Sequence, residues 1–213
     1  MEIAIEKILA DIERYKTVEE VILVAVTKTR TDKEIAAVLA AGILNLGENK
    51  AQEIRDKSLV YKDASWHMIG RLQKNKLKYL IGKVMLIHSV ADVEMLVAIK
   101  EHCENRQESC KILLQINPSG EKSKQGFSSQ QLEAVLKEYE NDGAVKIAGL
   151  MCMAPYTEDT EVIEQTFARA KKKYDIYNDG RFEYLSMGMS NDYVIALKHG
   201  SNMLRIGSRL FEE

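Results

Sequence analysis

Eight short apolar runs, each followed by a longer stretch with helical periodicity, recur along this chain of 213 residues. That alternation is the pattern of parallel strands joined by crossover helices. The runs are Val21 to Val26, Ile43 to Leu46, Trp66 to Ile69, Val84 to Ile87, Lys111 to Ile116, Lys146 to Leu150, Phe182 to Leu185 and Met203 to Ile206. Between them the spacing predicts helices over Asp32 to Ala41, Lys50 to Leu59, Leu72 to Ile81, Val93 to Glu104, Ser129 to Tyr139, Thr160 to Ile176 and Asp192 to His199. Thr31 and Asp32 supply a start signal for the first of these, while Gly42 and Gly200 supply stops at positions where a residue without Cβ closes a helix. Eight regular units favour an α/β fold of the (β/α)8 TIM barrel type over an open doubly wound sheet. Met1 to Tyr15 reads as an extra N-terminal helix, placed to close the barrel bottom. With no repeat, linker or low-complexity stretch, the expectation is a single domain over residues 1–213, an ordinary size for a barrel.

Composition narrows the function classes. A formal net charge of −2 offers no broad electropositive field for a nucleic-acid backbone, although a local patch can still hold one phosphate. Cys103, Cys110 and Cys152 are odd in number and lack the paired spacing of a zinc site, so reduced thiols are expected and no metal. The N-terminal segment mixes Glu and Lys with Ile and Leu, unlike the uninterrupted apolar stretch of a signal peptide, and no segment approaches membrane-spanning length. A cytoplasmic monomer with neither nucleic-acid nor membrane partner is expected.

In a barrel of this type chemistry gathers at the carboxyl ends of the strands. The first strand runs directly into Thr27, Lys28 and Thr29. A lysine leaving an apolar strand, if partly desolvated, is an amine nucleophile able to form a Schiff base; a solvated loop lysine is an equally good reading of position alone. Strand eight ends in Arg205, Ile206, Gly207 and Ser208, and strand seven leads into Ser186, Met187, Gly188, Met189 and Ser190. Loops after strands seven and eight frequently cradle phosphate, although Ser190 or Asn191 also serves as an ordinary helix cap. A lysine facing a phosphate cradle describes a site for a phosphorylated aldehyde. Pyridoxal 5′-phosphate fits, and so does the substrate of a phosphosugar aldolase. Further polar candidates are Gly47, Glu48 and Asn49 after strand two, Arg71 and Gln73 after strand three, His88 and Ser89 after strand four, and Asn117 after strand five. His67, within strand three, reads as a satisfied core histidine.

Taken in order, Val24-Ala25-Val26-Thr27-Lys28-Thr29, Gly47-Glu48-Asn49, Trp66-His67-Met68-Ile69-Gly70-Arg71-Leu72-Gln73-Lys74-Asn75-Lys76, Ile87-His88-Ser89-Val90, Ser186-Met187-Gly188-Met189-Ser190 and Arg205-Ile206-Gly207 form a specific set. With Gln115-Ile116-Asn117 and Gly149-Leu150-Met151 between them, the set resembles the pyridoxal-phosphate homeostasis proteins, which share a fold with the barrel domain of alanine racemase. The resemblance implies that Lys28 carries pyridoxal 5′-phosphate as an imine and that Ser190, Gly207 and Ser208 help hold its phosphate. It also implies that Arg205 lies near the pyridine nitrogen and that Asn49 faces the cofactor's rim. An arginine beside that nitrogen favours its unprotonated form and weakens the ring as an electron sink. The implied role is buffering or delivery of the cofactor to recipient enzymes, without a dedicated catalytic activity. The alternative is a pyridoxal-phosphate-dependent enzyme acting on amino acids. Racemisation needs two proton carriers on opposite faces of the substrate carbon. The chain ends at Glu213 without room for the second domain that completes a racemase site, leaving Tyr156 and Tyr193 as candidates to join Lys28.

Overall fold

Each apolar run pairs with the run before it and the run after it. In a computed structural model, which describes residues 2–118 and 125–212, eight parallel strands close into a barrel in chain order. They are β1 Ile22–Val26, β2 Asn45–Glu48, β3 Ser65–Met68, β4 Leu86–Val90, β5 Cys110–Gln115, β6 Val145–Met151, β7 Tyr184–Ser186 and β8 Met203–Ile206. β8 pairs back onto β1 with Val24 opposite Arg205, which closes the cylinder. The helices are α1 Glu2–Tyr15, α2 Asp32–Ala40, α3 Ala51–Val60, α4 Val93–Arg106, α5 Ser129–Glu138, α6 Thr160–Tyr177 and α7 Tyr193–Lys198. The start of α2 shows why the local sequence folds as it does. Thr31 accepts the Glu34 amide, Glu34 accepts the Thr31 amide, and Gly42 follows the helix at φ +82°.

Two apolar cores result. The larger fills the annulus between strands and helices, joining residues such as Ile35, Leu46, Ile99, Phe167 and Leu197. The smaller joins Val24, Leu86, Leu113, Ala148, Met151 and Met203. These come from β1, β4, β5, β6 and β8, strands that are not all neighbours, so they meet in the lumen. The lumen below the site is therefore packed, as in barrels generally.

Three expectations change. Between β3 and β4 the segment expected to be helical over 72–81 forms a 3₁₀ turn, Lys74–Tyr79; its sequence Lys-Asn-Lys-Leu-Lys-Tyr buries only Leu77 and so offers a narrow apolar face. β2 and β4 start two residues later than their apolar runs and take in Gly47, Glu48, His88 and Ser89; the buried polar side chains there find hydrogen-bond partners, Glu48 in Thr27 and in Lys57 of α3, and His88 in His67. The N-terminal helix, whose predicted start at Met1 lies outside the described residues, does not close the bottom. α1 packs on α7 and on the 3₁₀ turn Ser208–Leu210, and so takes the outer place that a helix after β8 would fill.

Candidate functional site

At the carboxyl ends of the strands lies a cavity of about 600 Å³, within the usual range for small-molecule sites. Lys28, Asn49, Ser190, Arg205, Gly207 and Ser208 all line it, so the structure brings together the six residues singled out from sequence. Tyr156 and Met153 stand on its lip from the loop after β6, with Tyr156 98% exposed.

Lys28 sits two residues beyond β1 and is exposed, which differs from the desolvated position that a strand exit suggests. The order of this segment comes instead from the residues around it. Thr27 is fully buried; its amide donates to the Gly47 carbonyl at 3.0 Å and its hydroxyl to Glu48 Oε1 at 2.7 Å. From α3, Lys57 Nζ donates to the Thr27 carbonyl at 2.9 Å and to Glu48 Oε1 at 2.5 Å. Burial pushes the Glu48 carboxyl up against the pull of Lys57. On the other side of Lys28, Thr29 is held at φ +61°, a left-handed conformation that a β-branched residue adopts only at a cost.

Arg205 is the opposite case. It is 4% exposed, and its guanidinium donates to Ser186 Oγ at 2.5 Å and to the Cys152 carbonyl at 3.0 Å. Both acceptors are neutral, and no salt bridge to Arg205 is found among the described residues. Burial pulls the guanidinium down to about 10, so it remains cationic at neutral pH. Its backbone is fixed by the Arg205 amide, which donates to the Gly188 carbonyl at 3.0 Å. Gly188 adopts φ +98°, and a Cβ there would lie 2.7 Å from Ala196 Cβ, so only glycine lets this loop pass between α7 and β8.

Between the loops after β7 and β8, Ser190 Oγ accepts the Gly207 amide at 3.3 Å and the Arg209 amide at 3.4 Å. Two backbone donors thus converge on one oxygen at the cavity wall. Ser190 and Asn191 do not cap α7. Asp192 occupies that position and accepts the Met189 amide at 2.6 Å. A Cβ on Gly207 would meet Val26 at an ordinary 3.4 Å, so the protein itself does not require glycine there.

The alanine racemase N-terminal domain model matches residues 3–212. The chain is 36% identical to the pyridoxal phosphate homeostasis protein of Helicobacter pylori, covering 98% of this chain and 97% of that one. It is 40% identical to the Deinococcus radiodurans protein of the same name, over 89% of this chain and 88% of that one. The chain belongs to the pyridoxal phosphate homeostasis protein family. Among solved structures, PipY of Synechococcus elongatus, determined with PLP bound, superposes at a TM-score of 0.85 with 28% identity, covering 98% of this chain and all of that one. Alanine racemase of Clostridium difficile shares the fold at a TM-score of 0.78 and 12% identity.

Family membership does not by itself name the residues that support the site, and sequence reasoning missed several. Lys57 and Glu53 are spaced as an ordinary surface pair on α3, yet Lys57 turns in to Glu48 and Thr27. His67 is the satisfied core histidine that its place in strand three suggests, but its partners and the polar line below Arg205 were equally hidden. His67 Nδ1 lies 2.9 Å from His88 Nε2, and His88 Nδ1 lies 3.0 Å from Ser186 Oγ. Of the two tyrosines considered as proton carriers, Tyr193 is buried and its hydroxyl donates to Asp11 of α1 at 2.5 Å, outside the cavity. No cluster of three metal-ligating side chains occurs among the described residues, and none of their helices is long and apolar enough to cross a membrane.

Proposed function

We propose that this protein holds pyridoxal 5′-phosphate on Lys28 and serves cofactor homeostasis, buffering the cofactor or delivering it to recipient enzymes as a cytoplasmic monomer. Three features on one cavity carry the reading: an accessible amine, a buried cation with no carboxylate in salt-bridge contact among the described residues, and two converging backbone amides. They match an aldehyde, a ring nitrogen and a phosphate respectively. The relatives' shared name and the PLP bound in PipY support the same assignment.

When bound, the group supplies a conjugated aldehyde carbon and an aromatic ring able to draw electrons from an attached amine. Lys28 would hold the group through its amine, which opens onto the cavity. The exposure of Lys28 would leave that linkage open to water, which suits a carrier. Ser190, Gly207 and Ser208 hold the phosphate, with Ser190 yielding the two amides it now accepts. Arg205, always a donor, faces the ring nitrogen and favours its unprotonated form. Asn49 borders the rim. Tyr193, committed to Asp11, is not at hand as a second proton carrier, which leaves Tyr156, exposed on the cavity lip, as the remaining one of the two candidates.

The test is to load the protein, record its visible absorption, and mix it with a cofactor-free enzyme that needs pyridoxal phosphate. The expected result is a yellow complex whose colour falls as the recipient gains activity, with no amino acid consumed by the carrier alone. Steady turnover of an amino acid, or no spectral change on loading, would overturn the proposal.

A further inference from the structure

A line of polar side chains crosses the barrel interior. Asn45 at the start of β2, His67 on β3 and His88 on β4 lie on neighbouring strands; Ser186 on β7 and Arg205 on β8 lie across the lumen. The links are continuous: Asn45 Oδ1 to His67 Nε2 at 3.0 Å, His67 Nδ1 to His88 Nε2 at 2.9 Å, His88 Nδ1 to Ser186 Oγ at 3.0 Å, and Ser186 Oγ to Arg205 at 2.5 Å. His67, His88 and Ser186 are fully buried, where an unpaired polar group costs the most.

The direction of the chain follows from its one fixed end. A guanidinium donates and never accepts, so Ser186 Oγ accepts from Arg205. Among the described residues, the only other group bonded to Ser186 Oγ is His88 Nδ1, so the serine proton goes there. His88 then carries its proton on Nε2 and donates to His67 Nδ1. His67 in turn donates from Nε2 to Asn45 Oδ1. Running the chain the other way leaves the Ser186 proton with no acceptor. Both imidazoles must be neutral for this order, and burial ensures it: it pulls His67 down to about 4 and His88 well below its ordinary range.

We propose that Ser186, His88 and His67 are positioning residues, a one-way hydrogen-bond chain anchored at Asn45 that fixes the Arg205 guanidinium and so sets its engagement of the cofactor's ring nitrogen. The inference rests on the cofactor assignment made above for Arg205. It accounts for a buried hydrogen-bonded line in a lumen otherwise packed with apolar side chains. Arg205 has neutral hydrogen-bond partners on the inner side; among the described residues no carboxylate lies within salt-bridge distance, and Asp192, which acts on it electrostatically from farther off, lines the same cavity, so its remaining donor capacity faces the cavity.

Two measurements test it. In the cofactor-free protein, long-range proton–nitrogen NMR of the imidazoles should show both His67 and His88 with the proton on Nε2; a proton on Nδ1 of either would overturn the chain's direction. In the loaded protein, with nitrogen-15 in the cofactor ring, Ser186→Ala should shift the ring-nitrogen resonance and weaken binding about tenfold, the worth of roughly one hydrogen bond. The ratio of affinities for pyridoxal phosphate and pyridoxal should stay unchanged, because the phosphate is held elsewhere, and Ser186→Thr should restore the wild-type resonance. Should Ser186→Ala fail to fold, Asn45→Ala at the half-buried far end should move the resonance the same way by less. An unmoved resonance in whichever variant folds overturns the positioning role. Failure of the wild type to bind the cofactor removes the underlying assignment instead, a result the imidazole spectrum distinguishes because it needs no ligand.

Discussion

Lys28 and Arg205 face one cavity from opposite circumstances. Lys28 stands in water on a turn, beside a threonine in a left-handed conformation, and its order comes from the Thr27–Glu48–Lys57 cluster beneath it. Arg205 is sealed into the barrel, with its backbone, guanidinium and hydrogen-bond partners all fixed. The difference fits the carrier role proposed above. A group that must form and release a covalent bond needs access to ligand and water, whereas a group that only orients the ligand is best preorganised by burial.

The sharpest way to break this comparison is Lys28→Ala. Covalent retention of the cofactor should vanish, while unfolding free energy changes by no more than about 0.5 kcal/mol, as for other exposed positions. A large loss of stability on denaturant unfolding would show that Lys28 is built into the fold after all. The buried side should instead reveal itself through acid. His67 is held at about 4 when folded against an ordinary 6.5, so below pH 6.5 the unfolded chain binds a proton that the native one refuses. Stability should therefore be intact above pH 6.5 and decline as pH falls toward 4, with His67 contributing about 3 kcal/mol of that decline. His67→Gln should flatten the curve by a similar amount, and an unchanged pH dependence would contradict a neutral buried His67.

Smaller effects separate the two halves of the ligand. Arg205→Met should weaken cofactor binding by about 1.5–3 kcal/mol, the value of a hydrogen bond to a charged group, without preventing Lys28 from reacting. Equal affinity in that variant, measured by titration of the visible band, would leave Arg205 without a role in binding. Ser190→Ala should cost about 1 kcal/mol for pyridoxal phosphate and nothing for pyridoxal. A matching loss for both aldehydes would place Ser190 away from the phosphate.

Much of this was readable in the chain because barrel topology ties function to strand ends. Lys28, Asn49 and Gly207 stand within three residues of the ends of apolar runs and Arg205 within the last one, and that position is visible without coordinates. The strand ends blurred where polar residues continue a strand, as at Glu48 and His88, since hydrophobic periodicity stops at the first side chain that is satisfied by a hydrogen bond. Long-range partners were invisible for a related reason. Nothing local marks Lys57 as the partner of Glu48 and not merely of Glu53, or joins His88 to Ser186 ninety-eight positions away. The place of α1 was misjudged because periodicity gives a helix its apolar face but not its neighbour; the short 3₁₀ turn after β8 leaves an outer position that α1 takes.

The most direct measurement is borohydride reduction of the cofactor-loaded protein followed by peptide mapping. The account predicts one modified residue, Lys28, at close to one cofactor per chain. Modification of Lys57, Lys74 or Lys76 with Lys28 untouched would contradict it.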